Sequence, residues 1–123
     1  LHQPVSIGVM TLSGEVPTPG LGTSSTQDWN VEGAHLAERC ALNAIAAVKS
    51  QIEDLDRVQR IVKVTGFVNA IPGFAQHPEV INGASDTIVQ VFGDIGKHAR
   101  AAVGAGSLPR NVAVEVEAVF EIA

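Results

Sequence analysis

The segment VAVEVEAVFEI (112–122) alternates between apolar and mostly charged side chains up to the end of the chain. Successive side chains of a β-strand point to opposite faces, so a period of two predicts a strand with one buried face. A chain with such a strand must build a sheet and cover one side of it. The face predicted to be buried carries Val112, Val114, Val116, Ala118, Phe120 and Ile122, and the other carries Ala113, Glu115, Glu117, Val119 and Glu121.

Three further segments have the composition of strands. Residues 5–12, 58–69 and 99–103 are short, largely apolar and mostly rich in β-branched side chains, which predicts a strand in each. Ser13 and Gly14 end the first strand, and residues 15–30, rich in Pro, Gly, Ser and Thr, predict a loop.

Two segments carry apolar residues at the spacing of a helix. The pattern predicts one helix over about 31–52, with Asn30 as its N-cap, and a second over about 78–93, with Pro78 in its first turn. The predicted stripes are Ala34, Ala41, Ile45, Val48 and Ile52 in the first helix, and Ile81, Ala84, Ile88 and Phe92 or Val91 in the second.

The order strand–helix–strand–helix–strand–strand indicates an α+β fold, with two helices on one face of a mixed sheet. The length of 123 residues fits a single domain over 1–123. The second face of the sheet is predicted to be partly apolar, with Ala113 and Val119 on it. Since large apolar patches are rarely left exposed, we expect subunits to associate through that face.

Composition argues against several classes of function. A net charge of −5 with only 8 Lys and Arg lacks the basic surface that nucleic-acid binding needs. The single cysteine, Cys40, cannot form an internal disulfide, which favours a reducing compartment, and we expect a cytoplasmic protein. No apolar run reaches the length of a membrane span, and no signal peptide is visible. Because the chain begins with Leu1, we expect its natural N-terminus to be missing or processed.

Arg100 and Glu115 are the main candidates for chemistry. If the strands that carry them pair antiparallel, the two side chains can approach each other. The guanidinium could then bind a carboxylate through two parallel hydrogen bonds, and the glutamate could orient or deprotonate a water. A surface ion pair explains the same spacing. Ser13 and Gly14 could bind a carboxylate or oxyanion, or could form a simple turn.

The histidines show no metal-binding pattern. His2, His35, His77 and His98 have no partner at the spacing of known zinc motifs, so no metal is expected. His98 is notable only for its position beside Arg100.

The segment HARAAVGAGSLPRNVAVEVEAVFEIA (98–123) resembles the C-terminal signature of the YjgF/RidA family, which includes the endoribonuclease L-PSP-like proteins. That signature reads approximately A-R-S-x-V, then L-P, then V-x-[IV]-E-[IV]-E-A. The segment TLSGEVP (11–17) is similar to the family's early S-G-Q-x-P motif, and 40–69 also matches in pattern.

The resemblance implies a chorismate mutase-like fold and a homotrimer with a ligand cleft between each pair of subunits. It implies hydrolysis of small enamines and imines, such as 2-aminoacrylate, to 2-keto acids and ammonia without a cofactor. Arg100 would clamp the substrate carboxylate and Glu115 would hold the attacking water. Ser13 and Gly14 would line the cleft, and the backbone at Ala102 and Val103 would lie beside the imine.

The chain departs from the family's deaminases at three points. It has no tyrosine, and Ala102 stands where a cysteine is often found. The family's cleft asparagine in the second helix has no clear counterpart, because the spacing to Arg100 fits neither Asn82 nor Asp86 cleanly. A non-catalytic trimer that binds a small carboxylate and regulates a partner is therefore an alternative. A ribonuclease, an activity assigned to some relatives, is disfavoured by the net charge of −5.

Overall fold

The computed structural model describes residues 3–10 and 29–123. In chain order the elements are β1 (Gln3–Met10), α1 (Trp29–Ile52), β2 (Val58–Asn69), α2 (His77–Phe92), β3 (Ala99–Ala105) and β4 (Val114–Ile122), with short 3₁₀ turns at Leu55–Arg57, Gly93–Gly96 and Pro109–Asn111. The predicted element order is confirmed. Residues 11–12 of the first predicted strand, Ser13, Gly14 and most of the predicted loop 15–30 lie outside the described residues.

The described strands form one mixed sheet in the order β1-β4-β2-β3. Strand β4 pairs antiparallel with both β1 and β2, whereas β3 pairs parallel with β2. The expectation that β3 and β4 pair antiparallel is wrong, because β2 lies between them. Helix α2 forms the crossover that a parallel β2–β3 pair requires, and residues 106–113 then carry the chain past β2 instead of forming a tight hairpin.

Several helix and strand ends differ from the predicted boundaries by one or two residues. Helix α1 begins at Trp29, so Asn30 lies inside its first turn and not at the N-cap position. Pro78 does occupy the first turn of α2, whereas Gly93, with φ of 65°, follows the last residue of that helix. Strand β3 continues to Ala105, and β4 begins at Val114.

The core lies between the two helices and one face of the sheet. All six apolar residues predicted to face inward from the last strand are buried. Helix α1 also buries Leu36 and Cys40, which the predicted stripe omits. In α2, Phe92 packs against the core while Val91 is 46% exposed.

The two helices approach each other and the sheet at glycines. A side-chain carbon at Gly83 of α2 would collide with the backbone carbonyl of Ala34 in α1, and one at Gly66 of β2 would collide with Ile81 of α2. Because these positions lack a Cβ, α2 packs closely against both α1 and β2. This close packing fixes the position of the α2 surface beside β3.

The other face of the sheet has no helix on it among the described residues. Glu115, Glu117 and Val119 alternate with the buried residues of β4 and therefore point to this face. Phe67 of β2 pairs with Glu115, and Val103 of β3 pairs with Phe67, so both lie on the same face. We call it the free face. Ala113, assigned to it from the alternation, is fully buried just before β4 and adds no exposed surface.

Candidate functional site

Arg100 lies on edge strand β3 and points toward helix α2. It pairs with Val64, whose side chain is buried beneath the helices. Its Nη1 donates hydrogen bonds to Asn82 Oδ1 at 2.7 Å and to Ser85 Oγ at 3.2 Å. Asn82 and Ser85 are three residues apart, so they occupy the same face of α2. The helix therefore holds one end of the guanidinium in place.

The other end of the guanidinium is available. Within the described residues, Nε and Nη2 of Arg100 have no hydrogen-bond partner, and the side chain is exposed. It opens onto a shallow depression of about 320 Å³ lined by Asn82, Ser85, Val89, Lys97, His98 and Arg100. Among the described residues, two cations and no carboxylate line this depression. Nε and Nη2 together can bind both oxygens of a carboxylate.

A serine and a histidine lie beside the arginine. His98 Nε2 is 3.0 Å from Ser85 Oγ, and His98 Nδ1 is 2.6 Å from the carbonyl oxygen of Gly96. Gly96 is buried, and a Cβ there would meet the Ile88 carbonyl at 2.8 Å. The carbonyl that orients the imidazole is therefore tightly packed in position.

Glu115 does not meet Arg100 within one chain. Arg100 aligns with Val64 of β2, and Glu115 aligns with Phe67, three residues further along. The two Cα positions are thus separated by about 10 Å along the strands and about 10 Å across them. Arg100 faces the helices while Glu115 faces the free face. The predicted approach of these two side chains within a subunit is wrong, because it assumed that β3 and β4 are neighbours.

The remaining predicted site residues divide between the two faces. Ala102 lies on the same face as Arg100 and packs against the core. Val103 points to the free face and is 42% exposed. Ser13 and Gly14 lie outside the described residues.

The structure also identifies residues that sequence reasoning left undecided or missed. Of Asn82 and Asp86, it is Asn82 that contacts Arg100, whereas Asp86 lines a separate depression between α1 and α2. Ser85 was not predicted. Two features of the sequence could have indicated Ser85: it lies three residues after Asn82, and His98 lies two residues before Arg100.

No second site is formed by the other reactive groups of the described residues. Burial raises the pKa of the Cys40 thiol to about 12, and the negative charge of Glu115 adds to this. Such a thiol is a poor nucleophile. Within 3–10 and 29–123, no cluster of three His, Cys, Asp or Glu side chains could hold a metal ion. No helix in those ranges is long and apolar enough to cross a membrane.

Comparison with known proteins places this geometry in context. Residues 16–122 match the family described as YjgF/chorismate mutase-like, putative endoribonuclease. Protein TCP17 of Trypanosoma cruzi is 42% identical over 117 residues, covering 90% of this chain and 73% of that protein.

Two crystal structures are similar in both sequence and fold. The protein Atu1372 from Agrobacterium tumefaciens, of unknown function, is 41% identical with a TM-score of 0.84, covering 95% of this chain and 74% of that one. A putative endoribonuclease from Shewanella oneidensis is 26% identical with a TM-score of 0.85, covering 97% and 79%. The chorismate mutase-like α+β fold is confirmed.

Proposed function

This chain belongs to the YjgF/chorismate mutase-like family, and from that membership and the Arg100 site we propose that it hydrolyses small reactive enamines and imines to 2-keto acids and ammonia. The substrates would be of the 2-aminoacrylate type, with a carboxylate beside the carbon that water attacks. The observation that carries the proposal is the Arg100 guanidinium, held at one end by α2 and available at the other.

The available donors of Arg100 suit a carboxylate. Binding through Nε and Nη2 places two parallel hydrogen bonds on the two oxygens and fixes the plane of the carboxylate. The neighbouring carbon is then held in one orientation above the depression. Lys97 adds a second positive charge to the lining, which favours an anionic ligand.

Hydrolysis also requires a group that holds water, and we assign this role to Glu115. Since Glu115 and Arg100 lie on opposite faces of one sheet, a shared site needs two subunits. The free face of one subunit, with Glu115, would cover the β3 edge of the next. Phe67, Val103 and Val119 give that face the apolar character of a subunit interface. A cyclic trimer repeats this contact three times and so forms three equivalent clefts.

The first experiment follows keto-acid release from 2-aminoacrylate that a pyridoxal-phosphate dehydratase generates in situ. We expect the wild-type protein to accelerate release above the spontaneous rate, and Arg100→Ala to abolish the acceleration and the binding of pyruvate while folding is retained. Arg39→Ala, which removes an arginine from the exposed surface of α1, is the matched control. Wild-type protein that gives no acceleration would refute the proposal.

Glu115 is tested separately by Glu115→Gln. The amide keeps the size of the side chain but cannot accept a proton from water, so we expect turnover to fall far more than pyruvate affinity. An equal loss of both would mean that Glu115 contacts the ligand and does not act on water.

A second candidate function is a non-catalytic trimer that binds a small carboxylate. Its support is Ala102, which lies on the Arg100 face without a thiol, and the absence of tyrosine from the sequence. Pyruvate binding that depends on Arg100, with no turnover of any imine, would favour this function. Cleavage of RNA is disfavoured by the net charge of −5.

A further inference from the structure

We propose that Ser85 exchanges protons with the ligand bound on Arg100, and that His98 supplies and recovers those protons through Ser85. This inference rests on the proposed function and assigns to it a proton relay built from α2 and the segment before β3. Ser85 is the group that would touch the ligand, and His98 acts through it.

The hydrogen-bond partners fix which atom carries each proton. The carbonyl of Gly96 can only accept, so His98 Nδ1, 2.6 Å away, must carry a hydrogen. In the neutral imidazole, Nε2 is then an acceptor, and the Ser85 hydroxyl donates to it across 3.0 Å. The Oγ of Ser85 in turn accepts from Arg100 Nη1. Neutral His98 therefore leaves Ser85 oriented to accept a proton from a ligand.

Protonation of His98 reverses the direction of the hydroxyl. Both ring nitrogens of an imidazolium are donors, so Nε2–H donates to Ser85 Oγ and the hydroxyl hydrogen turns toward the depression. The same pair can therefore deliver a proton in one charge state and take it back in the other. Histidine is the side chain suited to this exchange near neutral pH.

In the part of the chain that the structure describes, no other group lining the depression can perform this exchange. Besides His98, the charged groups of the depression are Lys97, on the same segment, and Arg100, on β3. Lys97 pairs with Asp94 at 3.2 Å. The lining residues from α2, Asn82, Ser85 and Val89, carry no side chain that titrates near neutral pH.

The relay closes a balanced reaction cycle for the imine, which 2-aminoacrylate forms when a proton moves from its nitrogen to its terminal carbon. Water oxygen bonds to the imine carbon as the C=N electron pair moves to nitrogen, and Glu115 takes one water proton. The nitrogen takes the Ser85 hydroxyl proton, and Ser85 takes the Nε2 proton of the His98 imidazolium. The resulting carbinolamine nitrogen then takes the Glu115 proton and leaves as ammonia with the C–N electron pair. The carbinolamine hydroxyl proton returns through Ser85 to His98, and the C=O bond forms.

The test compares Ser85→Ala, Ser85→Thr and His98→Gln with the wild type. The matched control is His35→Gln, which replaces an exposed histidine of α1. We expect kcat for 2-aminoacrylate to fall at least about tenfold in Ser85→Ala and His98→Gln. Pyruvate affinity should change by less than about threefold in His98→Gln, because Arg100 keeps its bond to Asn82. Ser85→Thr, which keeps a hydroxyl, should recover most of the lost rate.

The pH profile separates a proton relay from a structural role. A limb of the wild-type kcat profile should disappear in His98→Gln and remain in His35→Gln. If both Ser85→Ala and His98→Gln keep the wild-type kcat and profile, the relay is wrong while the proposed function stands. If the wild-type protein itself shows no turnover, the proposed function fails and the relay fails with it. Thermal unfolding of each variant identifies any that lose activity through misfolding.

Discussion

Replacing Asn82 with alanine removes the shorter of the two hydrogen bonds that hold the Arg100 guanidinium. The bond from Arg100 Nη1 to Asn82 Oδ1 is 2.7 Å long and has a charged donor. Hydrogen bonds to charged groups contribute about 1.5–3 kcal/mol when shielded from water. Because Asn82 and Arg100 are both exposed and Ser85 keeps a second bond to Nη1, we expect about 1 kcal/mol. That loss corresponds to about fivefold weaker carboxylate binding.

The assay is calorimetric titration of wild type and Asn82→Ala with pyruvate, a 2-keto acid that carries the carboxylate without an imine. The matched control is Asp86→Asn, one turn further along α2, whose side chain lines the depression between the helices and not the one at Arg100. We expect Asp86→Asn to bind pyruvate like the wild type, and both variants to melt within a few degrees of it. Unchanged affinity in Asn82→Ala, or an equal loss in Asp86→Asn, would refute the argument that α2 orients Arg100.

Three other predictions concern packing, the buried thiol and the free face. Gly83→Ala should destabilise the protein by about 1–3 kcal/mol in urea unfolding, since its Cβ would collide with the carbonyl of Ala34. Gly106→Ala, where a Cβ meets no atom within 4 Å, should cost far less. Because the Cys40 pKa is raised from 9.0 to about 12, the folded protein keeps the thiol proton above pH 9 while the unfolded chain loses it. Wild-type stability should therefore fall relative to Cys40→Ala by up to about 1.4 kcal/mol per unit between pH 9 and 12, and an equal slope in both would contradict this. Val103→Glu adds a charge to the free face and should shift the protein toward monomer in light scattering; an unchanged oligomer would place the interface elsewhere.

Local sequence patterns were sufficient to predict most of the fold. The two-residue period of β4 and the helical spacing in α1 and α2 depend on neighbours close in the chain, and they gave the correct elements and most of the core. Helix α1 buries Leu36 and Cys40 as well, because its apolar surface is wider than the single predicted stripe. Boundaries such as the start of α1 at Trp29 moved because helix ends depend on capping contacts that residue types only suggest.

The pairing of strands was not predictable in the same way. Whether β3 lies beside β4 or β2 depends on how α2 packs against the sheet. That packing depends on Gly66 and Gly83, and the residues that these glycines contact are distant from them in the sequence. The connection 106–113 is compatible with either arrangement. The placement of Glu115 relative to Arg100 was therefore wrong, although the assignment of each side chain to a strand was correct.

The site itself was predictable only in part. Arg100 stands out from the residue pattern, but its partners Asn82 and Ser85 lie 18 and 15 residues earlier in the chain. Only the distance and orientation of α2 relative to β3 decide which side chain of that helix reaches the guanidinium. Asp86 carries a charge that Asn82 lacks, yet it lines the depression between α1 and α2 and is not one of the hydrogen-bond partners of Arg100.

The measurement that tests the central claim most directly is complementation between Arg100→Ala and Glu115→Gln subunits. Each variant alone should lack imine hydrolysis, because each removes one half of every cleft. When the two are refolded together in equal amounts, a cleft that combines Arg100 of one subunit with Glu115 of the next should be intact in about a quarter of random arrangements in a cyclic trimer. We predict recovery of about that fraction of wild-type activity. Mixed oligomers that stay inactive would contradict a cleft that two subunits build together.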